Sequence, residues 1–128
     1  AGVRLGFVLG AEVDINTLAA TAGPWPVSGA AIAIGAVALA DDAWAAQTAN
    51  RLAADGRRMD SLAARAGWRL AGGSSLFRLY DTQDAARAQD RLARARIWSR
   101  IFPYSATWLR LGLPGGEPEW DRLAAAMA

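Results

Sequence analysis

Apolar positions along the chain first run uninterrupted, then recur with helical spacing, and then alternate. Val3 to Leu9 carries five large apolar side chains around Arg4 and is closed by Gly2 and Gly10, which predicts a short interior strand. Glu12 to Ala20 predicts a short helix ended by Gly23 and the Pro-Trp-Pro that follows. Ser28 is placed to cap an almost wholly apolar helix reaching Ala40, and Asp41-Asp42 to open a long amphipathic one. That second helix runs through Trp44, Leu52, Met59 and Leu62 to Gly67, where a glycine suits the C-cap.

Beyond Gly67 the elements shorten. "WRLAG" and "LFRLYD" read as strands around the turn "GGSS", with Leu76, Arg78 and Tyr80 on one face and Phe77 and Leu79 on the other. Thr82 and Asp84 open a helix to about Ala95; strands follow at Ile97 to Phe102 and Thr107 to Leu113, and a helix from Pro118 to Ala126 closes the chain. This order predicts an α+β fold: a small, mostly antiparallel sheet covered by helices. The length of 128 residues suits one domain with a real core.

Composition narrows the chemistry. All 14 basic residues are arginine, and the chain holds no lysine, histidine or cysteine. That excludes an ordinary zinc site, a thiol nucleophile, a disulfide, a Ser-His-Asp triad and a Schiff base formed by this chain alone. Fourteen basic against twelve acidic residues leave a net charge of +2, and the two signs interleave, which does not describe a nucleic-acid surface. Ile15 to Ala40 carries no charge, but Gly23, Pro24 and Pro26 break it, and Val27 to Ala40 is shorter than the ~20 residues of a spanning helix. No basic N-terminal region or cleavage pattern is present, so a cytoplasmic setting without membrane contact is expected.

The candidate sites are arginines in apolar surroundings. Arg4 lies between Gly2 and Gly6, Arg100 in "IWSRIFP" and Arg110 in "TWLRLGLPGG". A guanidinium in a buried strand needs a partner, which either a carboxylate elsewhere in the fold or a bound phosphate supplies. If the strands of Arg100 and Arg110 are neighbours, the two can converge on one anion. Arg87, Arg91, Arg94 and Arg96 lie near Asp84 and Asp90 at helical pairing distance, the pattern of a solvated face laced with ion pairs. The six tryptophans read as core or interface residues, with Trp25 between two prolines suited to an outside contact.

Taken in order, these segments resemble the C-terminal third of type I fold aminotransferases that use pyridoxal phosphate. "AGVRLGF" is similar to the end of that family's L-A-G-x-R-x-G motif, "GPWPVSGAAIAIGAVAL" to the passage from large domain to linker helix, and "GGSSLFRLYD" to a small-domain strand, here without the asparagine often found there. "IWSRIFP" and "WLRLGLPG" match two arginine-bearing strands. Within the family the nearest branch is that of the threonine-phosphate decarboxylases of cobalamin biosynthesis, through "RIWSRIFPYSATWLRLGLPGGEPEW" and "PWPVS"; histidinol-phosphate aminotransferases are the alternative.

The resemblance implies that residues 1–27 are a remnant of the large cofactor-binding domain and 28–128 the linker helix and small domain. It implies Arg4 as the residue holding the cofactor phosphate and Arg100 and Arg110 as substrate-anion residues. No catalytic residue or metal falls in this chain, since the Schiff-base lysine would precede Ala1. It further implies a small phosphorylated amino acid or amine as substrate, no nucleic-acid partner, and a homodimer. An isolated chain of this kind is expected to expose apolar surface over Val3 to Leu9 and Val27 to Ala40 and to self-associate. A stand-alone regulatory module binding an anionic effector through Arg100 and Arg110 is the competing expectation.

Overall fold

The computed structural model describes residues 2–128. Contacts within the chain fall into two units, one up to Ala45 and one from Ala46 to Ala128. The boundary at 27/28 that the resemblance implies separates parts of a larger protein and is a different division.

The first unit holds α1 (Glu12–Ala22), α2 (Gly29–Leu39) and the opening turn of α3 (Asp42–Arg65). Ser28 caps α2, its Oγ accepting from the Ala31 backbone N–H at 3.2 Å. Asp41 does the same for α3, accepting from the Trp44 N–H at 2.9 Å. The strand expected at Val3 to Leu9 is not formed: residues 4–10 are irregular, and Arg4 takes a left-handed φ of 58°. A strand is satisfied by ladder hydrogen bonds to a neighbour, and this unit contains no strand among the described residues for it to pair with. The segment instead leans on α2, where Leu5 lies over Gly35 so closely that a Cβ there would meet its side chain. Phe7, Val8, Leu9, Val13, Ile32, Ile34, Val37 and Leu39 are exposed, so the expected apolar surface is present. No single helix among the described residues is long and apolar enough to cross a membrane.

The second unit is an α+β arrangement with a four-stranded antiparallel sheet in the order β1 (Arg69–Gly73), β2 (Phe77–Asp81), β4 (Ser105–Gly112), β3 (Arg100–Phe102). Helix α4 (Ala85–Arg94) links β2 to β3, and α5 (Glu117–Met127) follows β4. One sheet face presents Tyr80, Leu109 and Leu111 to a core completed by Met59, Leu62 and Ala63 of α3, Ala85, Ala88 and Leu92 of α4, and Trp120, Leu123 and Met127 of α5. Period-two alternation explains this: Tyr80 pairs with Leu109 and Arg78 with Leu111, while Phe77, Leu79, Trp108 and Arg110 fall on the other face.

Two helix ends show how local chemistry sets the boundaries. α3 closes with Gly67 at φ 77°, its N–H donating to Ala64 O and the Trp68 N–H to Ala63 O. α4 closes in the same way on an arginine: Arg96 has φ 59°, its N–H donates to Ala93 O, and the Ile97 N–H to Leu92 O. Residues 95–97 are thereby committed to the helix end, so the strand expected from Ile97 begins only at Arg100.

Candidate anion site

The β3–β4 ladder sets Arg100 directly opposite Arg110. The condition under which the two arginines share a site is therefore met: their strands are neighbours, and cross-strand partners project from the same face. Two like charges so placed repel, and no ion pair to a carboxylate offsets them among the described residues. Aromatic rings position each one instead. The Arg110 Cζ sits 4.4 Å from the centre of the Phe77 ring and the Arg100 Cζ 5.5 Å from that of Phe102.

Around this pair lies a cleft of about 430 Å³ lined by Phe77, Gln89, Trp98, Ser99, Arg100, Ile101, Arg110 and Gly112. Three strand termini converge on it: the start of β2, the start of β3 and the end of β4. Gln89 of α4 enters from the covered side and donates its Nε2 to the Ser99 carbonyl at 3.2 Å, fixing the chain just before β3. Gln89, Ser99 and Phe77 were not legible as site residues; only the adjacency of Ser99 to Arg100 pointed toward one of them. Chemically, the cleft offers two uncompensated guanidiniums and several neutral donors on a rigid ladder, an arrangement that holds a carboxylate or phosphate bidentately.

Arg4 lies in the first unit, exposed and without an ion-pair partner among the described residues. Its expected burial in a strand does not occur, so it carries no desolvation cost and needs no internal partner. A guanidinium has the chemistry to pair with the phosphate of pyridoxal phosphate, but none of the clefts among the described residues is lined by Arg4. The imine-forming part of that cofactor finds no lysine in the chain.

Several other arginines are engaged within the second unit. Of the ion pairs expected along α4, Arg94–Asp90 forms at 2.9 Å, while Asp84 instead caps the helix by accepting from the Arg87 backbone N–H at 2.9 Å. Arg58 forms a two-pronged pair with Glu117 at 2.7 and 2.8 Å while stacking 4.5 Å over Trp120, joining α3 to α5. Arg78 is engaged by Asp60 of α3: its Nε donates to Oδ1 at 3.0 Å, its Nη2 to Oδ2, and the Tyr80 hydroxyl also donates to Oδ1 at 2.7 Å. Burial acts to raise the Asp60 carboxyl, but the hydrogen bonds from Arg78 and Tyr80 and the Arg78 charge outweigh it and hold the group below its ordinary value. Burial first, and then the Asp60 carboxylate, push the Tyr80 hydroxyl well above its usual range. Ser74 builds the β1–β2 turn, its Oγ accepting from the Leu76 and Phe77 N–H groups at 3.3 Å. Among the described residues no group of three or more acidic, histidine or cysteine side chains is placed to hold a metal.

No protein-family model matches the chain. Two curated relatives are similar to it from end to end. A threonine-phosphate decarboxylase of Pseudomonas aeruginosa is 45% identical over 128 residues, covering 99% of this chain. A threonine-phosphate decarboxylase of a Sinorhizobium species is 40% identical over 130 residues, covering all of it. The chain spans 38% of the length of each.

Proposed function

We propose, from its end-to-end resemblance to threonine-phosphate decarboxylases, that this chain is the substrate-recognising portion of such an enzyme, in which Arg100 and Arg110 hold the anionic groups of the phosphorylated amino acid. The observation that carries the reading is the cross-strand register of Arg100 and Arg110, whose side chains line one cleft that has no carboxylate among its lining residues. Arg4 is assigned to the phosphate of pyridoxal phosphate. When bound, that cofactor supplies the electron sink for the bond broken at the substrate Cα.

The chain's own share is positioning. A substrate pinned at its anionic ends loses its rotational freedom before the reaction, and the bond to be broken is held in one orientation. Guanidiniums suit this because each fork fixes a direction as well as a distance. The ladder beneath them and the rings of Phe77 and Phe102 keep the forks in place. A homodimeric, cytoplasmic enzyme belongs to the same reading.

The test uses the full-length protein that contains this chain, supplied with pyridoxal phosphate and O-phospho-L-threonine, with aminopropanol phosphate as the measured product. Arg110→Ala and Arg100→Ala are each expected to lower kcat/KM at least about tenfold, the scale of a lost charge-assisted hydrogen bond. Amino transfer to a keto substrate in place of carbon dioxide release would assign the protein to the aminotransferase alternative. Full activity in both arginine variants would overturn the reading.

A further inference from the structure

The side of the β3–β4 ladder that carries the two arginines also carries a large ring with no partner. Exposure alternates along the approach to β3: Ile97 is half-buried, Trp98 exposed, Ser99 buried and Arg100 exposed. Trp98 therefore projects to the side that Arg100 occupies, and the register of Arg100 with Arg110 puts the second guanidinium there too. All three side chains line the same cleft of about 430 Å³.

Two nearby rings are already engaged, Phe77 by Arg110 and Phe102 by Arg100. Trp98 is 93% exposed and, among the described residues, stacks on no ring and on no guanidinium. Its place is nevertheless set by the backbone on either side. The Ile97 N–H donates to the Leu92 carbonyl at 2.9 Å, and the Ser99 carbonyl accepts from Gln89 at 3.2 Å. A scattered exposed tryptophan needs no explanation, but this one is fixed at its flanks and borders the cleft of an arginine pair.

The pair leaves part of a ligand unread. A guanidinium recognises acceptor oxygens, so two of them can hold the anionic ends of an amino acid but not the carbon skeleton that joins those ends. Hydrocarbon is recognised by being taken out of water against apolar surface, and an indole ring offers a large, rigid one.

We propose that Trp98 is a specificity-determining residue of this cleft, its indole packing against the carbon skeleton of the bound amino acid while Arg100 and Arg110 hold the anionic ends. This rests on the reading that the arginine pair binds the substrate, and it adds a residue that selects by hydrocarbon shape and not by charge.

The experiment compares wild type, Trp98→Ala, Trp98→Phe and Arg110→Ala in the full-length protein supplied with pyridoxal phosphate. It measures kcat/KM for O-phospho-L-threonine and for O-phospho-L-serine, which differ by one methyl group, together with the melting temperature without substrate. Trp98→Ala is expected to lower the threonine-to-serine ratio of kcat/KM about fourfold, the scale of one methyl group taken out of water, and Trp98→Phe to keep most of it. The melting temperature should hold in both variants, because truncating a ring that is 93% exposed opens no cavity. An unchanged ratio in Trp98→Ala would overturn the proposal. So would a lower melting temperature with equal losses on both substrates, the mark of a ring packed against the rest of the full-length protein. Either result, with activity lost in Arg110→Ala, leaves the arginine reading standing. Full activity in Arg110→Ala, or no turnover of either substrate by wild type, would remove that reading and this inference with it.

Discussion

Replacing Asp60 by asparagine tests the packing logic of the second unit most directly. The carboxylate accepts three hydrogen bonds, two from Arg78 and one from Tyr80, and so ties α3 to β2. The amide keeps an oxygen for one side of this network but turns an NH2 toward a guanidinium donor and removes the negative charge. Breaking a fully buried ion pair costs about 3–5 kcal/mol, and a hydrogen bond to a charged group contributes about 1.5–3 kcal/mol. The Arg78 and Asp60 side chains are 19% and 28% exposed, so water offsets part of the loss and the lower scale applies, about 2 kcal/mol. With a urea dependence of about 1–3 kcal/mol per molar, the midpoint of unfolding followed by far-ultraviolet circular dichroism should fall by about 1 M.

The pH dependence adds a second readout with a definite sign. Asp60 has its folded value lowered from 3.8, so as pH falls the unfolded chain takes up a proton before the folded one does. The contribution is complete above the unfolded value of 3.8 and is lost as pH drops through the lower, folded one. Wild type should therefore lose this increment in acid, and Asp60→Asn should not. A midpoint unchanged by the substitution, or the same acid sensitivity in both proteins, would refute the claim that this network holds α3 on the sheet.

Two backbone predictions accompany it. Gly73→Ala should destabilise the β1–β2 hairpin by about 2 kcal/mol, because φ is 150° there and a Cβ would lie 2.4 Å from the Phe77 carbonyl oxygen; faster amide exchange confined to this hairpin would show it. Arg96→Gly should raise the unfolding free energy by up to about 1 kcal/mol in the same urea titration, since the left-handed helix end suits glycine and the arginine side chain there is exposed.

Much of the fold was legible because it follows from local rules. Ser28 and Gly67 mark helix ends whose unsatisfied backbone groups need a cap or a left-handed residue, and any sequence-level reading finds them. Alternation likewise put Arg78 and Tyr80 on one face and Phe77 and Leu79 on the other. Two boundaries went astray for opposite reasons. Val3 to Leu9 has the composition of a strand, but a strand exists only with a partner. Ile97 has a strand's composition too, yet its N–H is already spent on the end of α4.

The sequence by itself determined the residue types available: arginine as the only cation, no nucleophile of the thiol or imidazole kind, and apolar stretches marking the elements. It named Arg100 and Arg110 separately. Only the tertiary structure decided that they face each other, that Asp60 meets Arg78 across 18 residues of chain, and that Trp98 lines the cleft of the arginine pair. The physical reason is that register and helix docking are settled by burial of the whole core at once, so which groups meet, and which are left without a partner, cannot be read from spacing along the chain.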